Sequence, residues 1–111
     1  MKVVNLEDGR PTLERARLRL QQELHQARRE GCAAVKLIHG YGSSGVGGVL
    51  RTGIQASLRR AQQDGRIAVF IPGEDWRISD ETTWALLQRF PEWKQDHDLN
   101  RRNHGISVVV F

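Results

Sequence analysis

His39 stands at the head of a segment, Gly40 to Gly48, that holds five glycines in nine residues, and Arg51 follows one helical turn beyond it. Glycines let backbone approach a ligand closely, and unpaired N–H groups at the start of a helix favour an anion. Gly40, Gly42, Ser43, Ser44, Gly45 and Gly47 therefore form a candidate phosphate cradle, with Arg51 as a fixed positive charge. Glu7 and Asp8, after the first apolar run, supply carboxylates for a general base or metal ligand, and His39 supplies an acid/base imidazole. Arg101, Arg102 and His104 add cationic and imidazole contacts just ahead of the last apolar run. Phosphodiester hydrolysis needs an activated water and charge neutralisation on phosphate, and these residues are the candidates for it; the alternative is that His39 hydrogen-bonds within its loop and that Glu7 and Asp8 are turn residues. No cofactor is demanded by the pattern; Mg²⁺ or Mn²⁺ is the option the chemistry leaves open.

Gly40-Tyr41-Gly42-Ser43-Ser44-Gly45 also satisfies the G-x-G-x-x-G pattern of dinucleotide sites. The chain is too short for a paired dinucleotide fold, and the next strand ends at Pro72-Gly73-Glu74 without a clear acidic ribose ligand. A Walker A loop is excluded because no Gly-Lys-Ser/Thr follows. Gln95-Asp96-His97-Asp98 lacks the helical pairing of a metal site and reads as a solvated turn. The lone Cys32 reads as a small buried side chain.

The elements that must position these groups follow from periodicity. Val3–Leu6, Ala33–Ile38, Ile67–Ile71 and Ile106–Phe111 are short apolar or β-branched runs and are predicted as strands. Leu13, Ala16, Leu20, Leu24 and Ala27 recur at helical spacing after Thr12, a good N-cap, and Gly31 closes that helix. Leu50, Ile54, Leu58 and Ala61 make a second apolar stripe, closed by Gly65. Residues of about 73–103 form an acidic helical insertion that holds Trp76, Trp84 and Trp93, tryptophans expected to pin it to the rest. The fold class expected is α/β: a two-layer βαβαβ(αα)β sandwich on a four-stranded mixed sheet, residues 1–111 forming one domain. Strands one to three run parallel and the fourth returns antiparallel. Ligands in such sheets favour the edge where strands one and two end and strand four begins.

Of the net charge of +4, residues 1–65 hold 11 Lys/Arg against 6 Asp/Glu, a modest attraction for polyanions. No apolar run is long enough for a membrane span, and the first residues lack a secretory h-region, so the expected location is cytoplasmic.

Ile38-His39-Gly40-Tyr41-Gly42, then Gly45, Gly47, Leu50 and Arg51, resembles the signature of the Smr (small MutS-related) domain family. Thr12-Leu13-Glu14-Arg15-Ala16 is similar to that family's first helix, and Gly105-Ile106-Ser107-Val108-Val109-Val110 to its last strand. The resemblance implies a fold like the C-terminal domain of translation initiation factor three, and binding of nucleic acid, either DNA or RNA. It also implies a structure-selective endonuclease that nicks phosphodiesters, as some members do, or else a non-catalytic adaptor for nucleic acid, the ribosome or protein. The family's Leu-Asp-x-His at the end of strand one is here Leu6-Glu7-Asp8-Gly9, which keeps an acid and loses the histidine. Binding therefore carries over better than cleavage, and the acidic insertion is a surface a protein partner could use.

Overall fold

The computed structural model describes residues 1–41 and 46–111, without the side chains of residues 46 and 47. The chain runs β1 (Lys2–Asn5), α1 (Leu13–Arg29), β2 (Ala34–Ile38), α2 (Val46–Gln63), β3 (Val69–Pro72), α3 (Glu81–Arg89) and β4 (Ile106–Val110). Short 3-10 turns at Gly73–Asp75 and Pro91–Gln95 flank α3. The sheet order is β1-β2-β4-β3: β1 and β2 pair in parallel, and β4 lies antiparallel between β2 and β3. The first three strands thus share one direction and the fourth opposes them, as the order of elements implied.

Both long helices stop where the chemistry of their last turns says they must. Gly31, with φ +79°, lets its own N–H reach Arg28 O and that of Cys32 reach Ala27 O. Gly65, with φ +75°, does the same with Gln62 O and Ala61 O, the second bond coming from Arg66. These paired 5→2 and 6→1 bonds satisfy carbonyls that would otherwise be orphaned. The second closure also explains why β3 starts at Val69 and not at Ile67: Arg66 and Ile67 are still bonding back to α2. At the other ends, Thr12 Oγ1 accepts from Arg15 N at 3.2 Å and Asp80 Oδ2 from Thr83 N at 2.9 Å, capping α1 and α3.

Alternation along the strands sorts side chains to two faces. Val4, Leu6, Val35, Leu37 and Val109 meet Ala16, Leu20, Leu24 and Ala27 of α1 and Leu50, Ile54, Leu58 and Ala61 of α2. The helices approach closely because Gly53 presents no side chain to Leu13, whose methyls would collide with a Cβ there. On the other face Ala34, Ile71, Ile106, Val108 and Val110 meet Trp76, Leu86, Leu87, Trp93 and Leu99 of the insertion. The two-layer arrangement therefore describes the sheet with α1 and α2, while the insertion covers the second face over β2, β4 and β3. Trp76 is completely buried and Trp93 nearly so; sealing side chains of that size contributes about 1.5–3 kcal/mol each. Trp84 departs from the pinning expected of it, being 49% exposed on the outer side of α3.

Asp96 and Asp98 correct the expectation of a solvated turn. Lys36 shares the insertion-facing side of β2 with Ala34 and Ile38, and its Nζ lies 2.7 Å from Asp96 Oδ1 and 2.7 Å from Asp98 Oδ2. The ammonium is buried, so both carboxylates face a desolvated partner. Asp96 Oδ2 also accepts from Trp76 Nε1 at 3.0 Å, and Asp98 Oδ1 from Asn103 Nδ2 at 3.0 Å. Burial alone would lower the Lys36 pKa, but the bonds to Asp96 and Asp98 outweigh it and the value is raised. The insertion is thus tied to the sheet by a closed polar network as well as by tryptophan packing.

Candidate nucleic-acid interface

The ends of β1, β2 and β3 and the start of β4 meet at one edge of the sheet, and nearly every described candidate residue lies there. His39 N and Gly40 N both donate to Gly105 O, at 2.9 and 3.1 Å, which clamps the exit of β2 to the approach of β4. Gly105 N in turn donates to Asn103 Oδ1 at 2.9 Å. Gly40 has φ +76°, a conformation costly for any side chain, and a Cβ there would also collide with Glu7 Oε2. The turn after β1 is set by Asn5, whose Oδ1 accepts from Glu7 N at 2.9 Å and Asp8 N at 3.1 Å. Glu7 is therefore held over Gly40, and both Glu7 and Asp8 are exposed.

His39 lies in the interior, beneath the exit of β2. Its side chain is fully buried on the α1/α2 face, with Nδ1 2.7 Å from Gly40 O and Nε2 2.9 Å from Ser107 Oγ. A carbonyl only accepts, so Nδ1 carries the proton and donates to Gly40 O, leaving Nε2 to accept from the Ser107 hydroxyl. Burial lowers its pKa below the usual imidazole value, against the pull of the Gly40 carbonyl. This neutral ring braces the β2 exit from below. The acid/base role expected of His39 would require the ring to leave these bonds, since both nitrogens are engaged and the residue is buried.

Arg51, expected as a fixed positive charge on phosphate, is paired with a carboxylate in this structure. Its Nη2 lies 2.8 Å from Glu74 Oε1 and 3.1 Å from Oε2, and Glu74 Oε2 is 3.0 Å from His104 Nδ1. Glu74, just after β3, thus gathers Arg51 from α2 and His104 from the approach to β4. Arg51 Nε is buried without a partner among the described residues. The guanidinium is held by one nitrogen instead of by its bidentate fork. Sequence reasoning missed Glu74 because an isolated acid after Pro72-Gly73 carries no spacing signal.

Gly42, Ser43, Ser44 and Gly45 lie outside the described residues. α2 begins at Val46, ahead of the expected start near Leu50, so Gly47 and Gly48 belong to its first turn and not to the loop. Arg101 and Arg102 are exposed on a turn anchored by Asn100, whose N–H donates to Trp76 O at 2.9 Å and whose Oδ1 accepts from Ile78 N at 2.8 Å. Neither arginine has a carboxylate partner among the described residues. With Tyr41, His97, Asp98, Asn103 and His104 they line an open cleft of about 480 Å³ beside Gly40. Tyr41 was absent from the expected set, since one aromatic in a glycine run has no periodicity to mark it. Among the described residues no three His, Cys, Asp or Glu side chains converge as a metal site. No helix of the described residues is long and apolar enough to cross a membrane.

The family model for the Smr domain matches residues 9–75, from the β1 turn through both long helices to the Gly73–Asp75 turn. The crystal structure of the Smr domain of Thermus thermophilus MutS2 is similar to the chain with a TM-score of 0.60 at 26% identity. That similarity covers 99% of this chain and 96% of the other. No curated protein matches. The matched segment contains the His39-Gly40 turn, Arg51 and Glu74, and the chain belongs to the Smr domain family.

Proposed function

We propose that this chain binds structured DNA or RNA at the sheet edge formed by Gly40, Tyr41, Arg101, Arg102 and His104. The observation that carries this reading is the convergence on a cleft beside the Gly40 turn of two exposed arginines with no carboxylate partner among the described residues. Surface cations of this kind supply most of the sequence-independent affinity for a phosphate backbone. The basic balance of residues 1–65 adds long-range attraction.

Binding is favoured over self-sufficient cleavage for two physical reasons. His39 is neutral, buried and bonded at both nitrogens, and Arg51 is engaged by Glu74. A second reading, nicking of phosphodiesters, draws support from Glu7, whose exposed carboxylate sits over Gly40 with Asp8 beside it. In that reading one carboxylate takes the proton from an attacking water.

The test is binding of a labelled four-way DNA junction and an RNA hairpin at low salt, with a parallel nicking assay in Mg²⁺ and in Mn²⁺. Binding without cleavage supports the first reading. Cleavage that disappears in Glu7→Gln supports the second, and absence of binding to either substrate overturns both.

A further inference from the structure

Tyr41 is the chain's single tyrosine, and its side chain is 60% exposed at the mouth of the cleft. One ring edge rests on Gly105: a Cβ at Gly105 would stand 3.2 Å from Tyr41 Cδ1, so the missing side chain is what seats the ring. Gly105 is itself fixed by bonds to His39, Gly40 and Asn103. Across the cleft the His104 ring lies 6.5 Å from Tyr41, centroid to centroid, tilted by 54°. Its Nδ1 is held 3.0 Å from Glu74 Oε2. An aromatic ring exposed on one side and backed by rigid backbone loses little freedom when something flat stacks on it.

From this geometry we infer that Tyr41, flanked by His104, is a stacking platform for an unpaired nucleobase, with Arg101 and Arg102 at the cleft rim meeting the adjoining phosphates. The inference rests on the nucleic-acid reading above and narrows its substrate class. A cleft of about 480 Å³ is within the range that holds one small ligand. Its lining also carries the exposed imidazole of His97, able to pair with a base edge. Bases inside a continuous duplex offer no free face, so a platform of this kind selects loops, gaps, junction centres or single strands. Stacking is tolerant of base identity, so structure is read here ahead of sequence.

The experiment compares a blunt duplex with a gapped duplex of equal charge carrying 2-aminopurine in the gap, on wild type, Tyr41→Phe and Tyr41→Ala. Wild type and Tyr41→Phe should bind the gapped substrate more tightly and quench the probe. Tyr41→Ala should lose about tenfold on the gapped substrate together with the quenching, a larger loss than it shows on the blunt duplex. Because Tyr41 is exposed, thermal melting of all three should agree, which separates loss of stacking from loss of fold. Equal affinity and quenching in Tyr41→Ala and wild type overturns the platform while leaving binding intact. Failure of wild type to bind either substrate at low salt overturns the platform and the binding reading together.

Discussion

Glu74 holds Arg51 by a single guanidinium nitrogen, Nη2 lying 2.8 and 3.1 Å from its two carboxylate oxygens. An arginine at the start of α2, beside the glycine turn, is thereby neutralised by an acid from the end of β3. On the nucleic-acid reading proposed above, a carboxylate in that place would compete with any anion brought to the same charge.

Replacing Glu74 by Gln should therefore strengthen binding of a junction or hairpin, by about three- to tenfold at low salt, since it removes a like charge facing the backbone. The gain should shrink as salt rises. Fluorescence anisotropy across a salt series reads both effects; equal or weaker binding by Glu74→Gln would show that the pair is purely structural.

His39 makes stability depend on pH near neutrality. Its folded pKa lies below the ordinary value, so the unfolded chain takes up a proton first as pH falls. Stability is full above the unfolded value of about 6.5 and declines as pH drops from there toward the lowered folded value. Tm should fall between pH 7 and pH 5. In His39→Gln that part of the slope should vanish, with a loss at pH 7 of about 1–3 kcal/mol for the disrupted buried bonds. An unchanged slope in the variant would assign the pH effect to other groups.

Lys36 is buried against two carboxylates, and removing it leaves both without their cation. Lys36→Met should cost about 3–5 kcal/mol in urea denaturation, because an uncompensated buried charge costs more than the pair contributes. Asp98 gives the linked acid effect: burial opposes ionisation, but bonds from Lys36 and Asn103 prevail and its pKa is lowered. Its stabilisation is present above the unfolded value of about 3.9 and lost as pH falls below it. A cost under about 1 kcal/mol for Lys36→Met would mean that the network is loosely held.

Much of the architecture is legible in the residues themselves. Thr12, Gly31 and Gly65 mark helix ends because capping is local chemistry, and the strand runs are continuous and β-branched. Strand order alone brings Arg101, Arg102 and His104 to the edge where β2 ends and β4 begins. What was not legible depends on partners distant in sequence. Lys36 meets Asp96 and Asp98 across some sixty residues, and Arg51 meets Glu74 only because β3 ends beside the start of α2. His39 illustrates the same limit: its position after β2 was readable, but the side of the sheet that receives its ring depends on Ser107 in β4.

The most direct measurement of the central claim is the salt dependence of binding to a four-way junction, in wild type and in Arg101→Ala/Arg102→Ala. If these arginines sit on backbone phosphates, the double variant should bind more weakly, and its slope of log affinity against log salt should be shallower by about 1–2. An affinity and slope indistinguishable from wild type would contradict the account and place the nucleic-acid surface elsewhere on the domain.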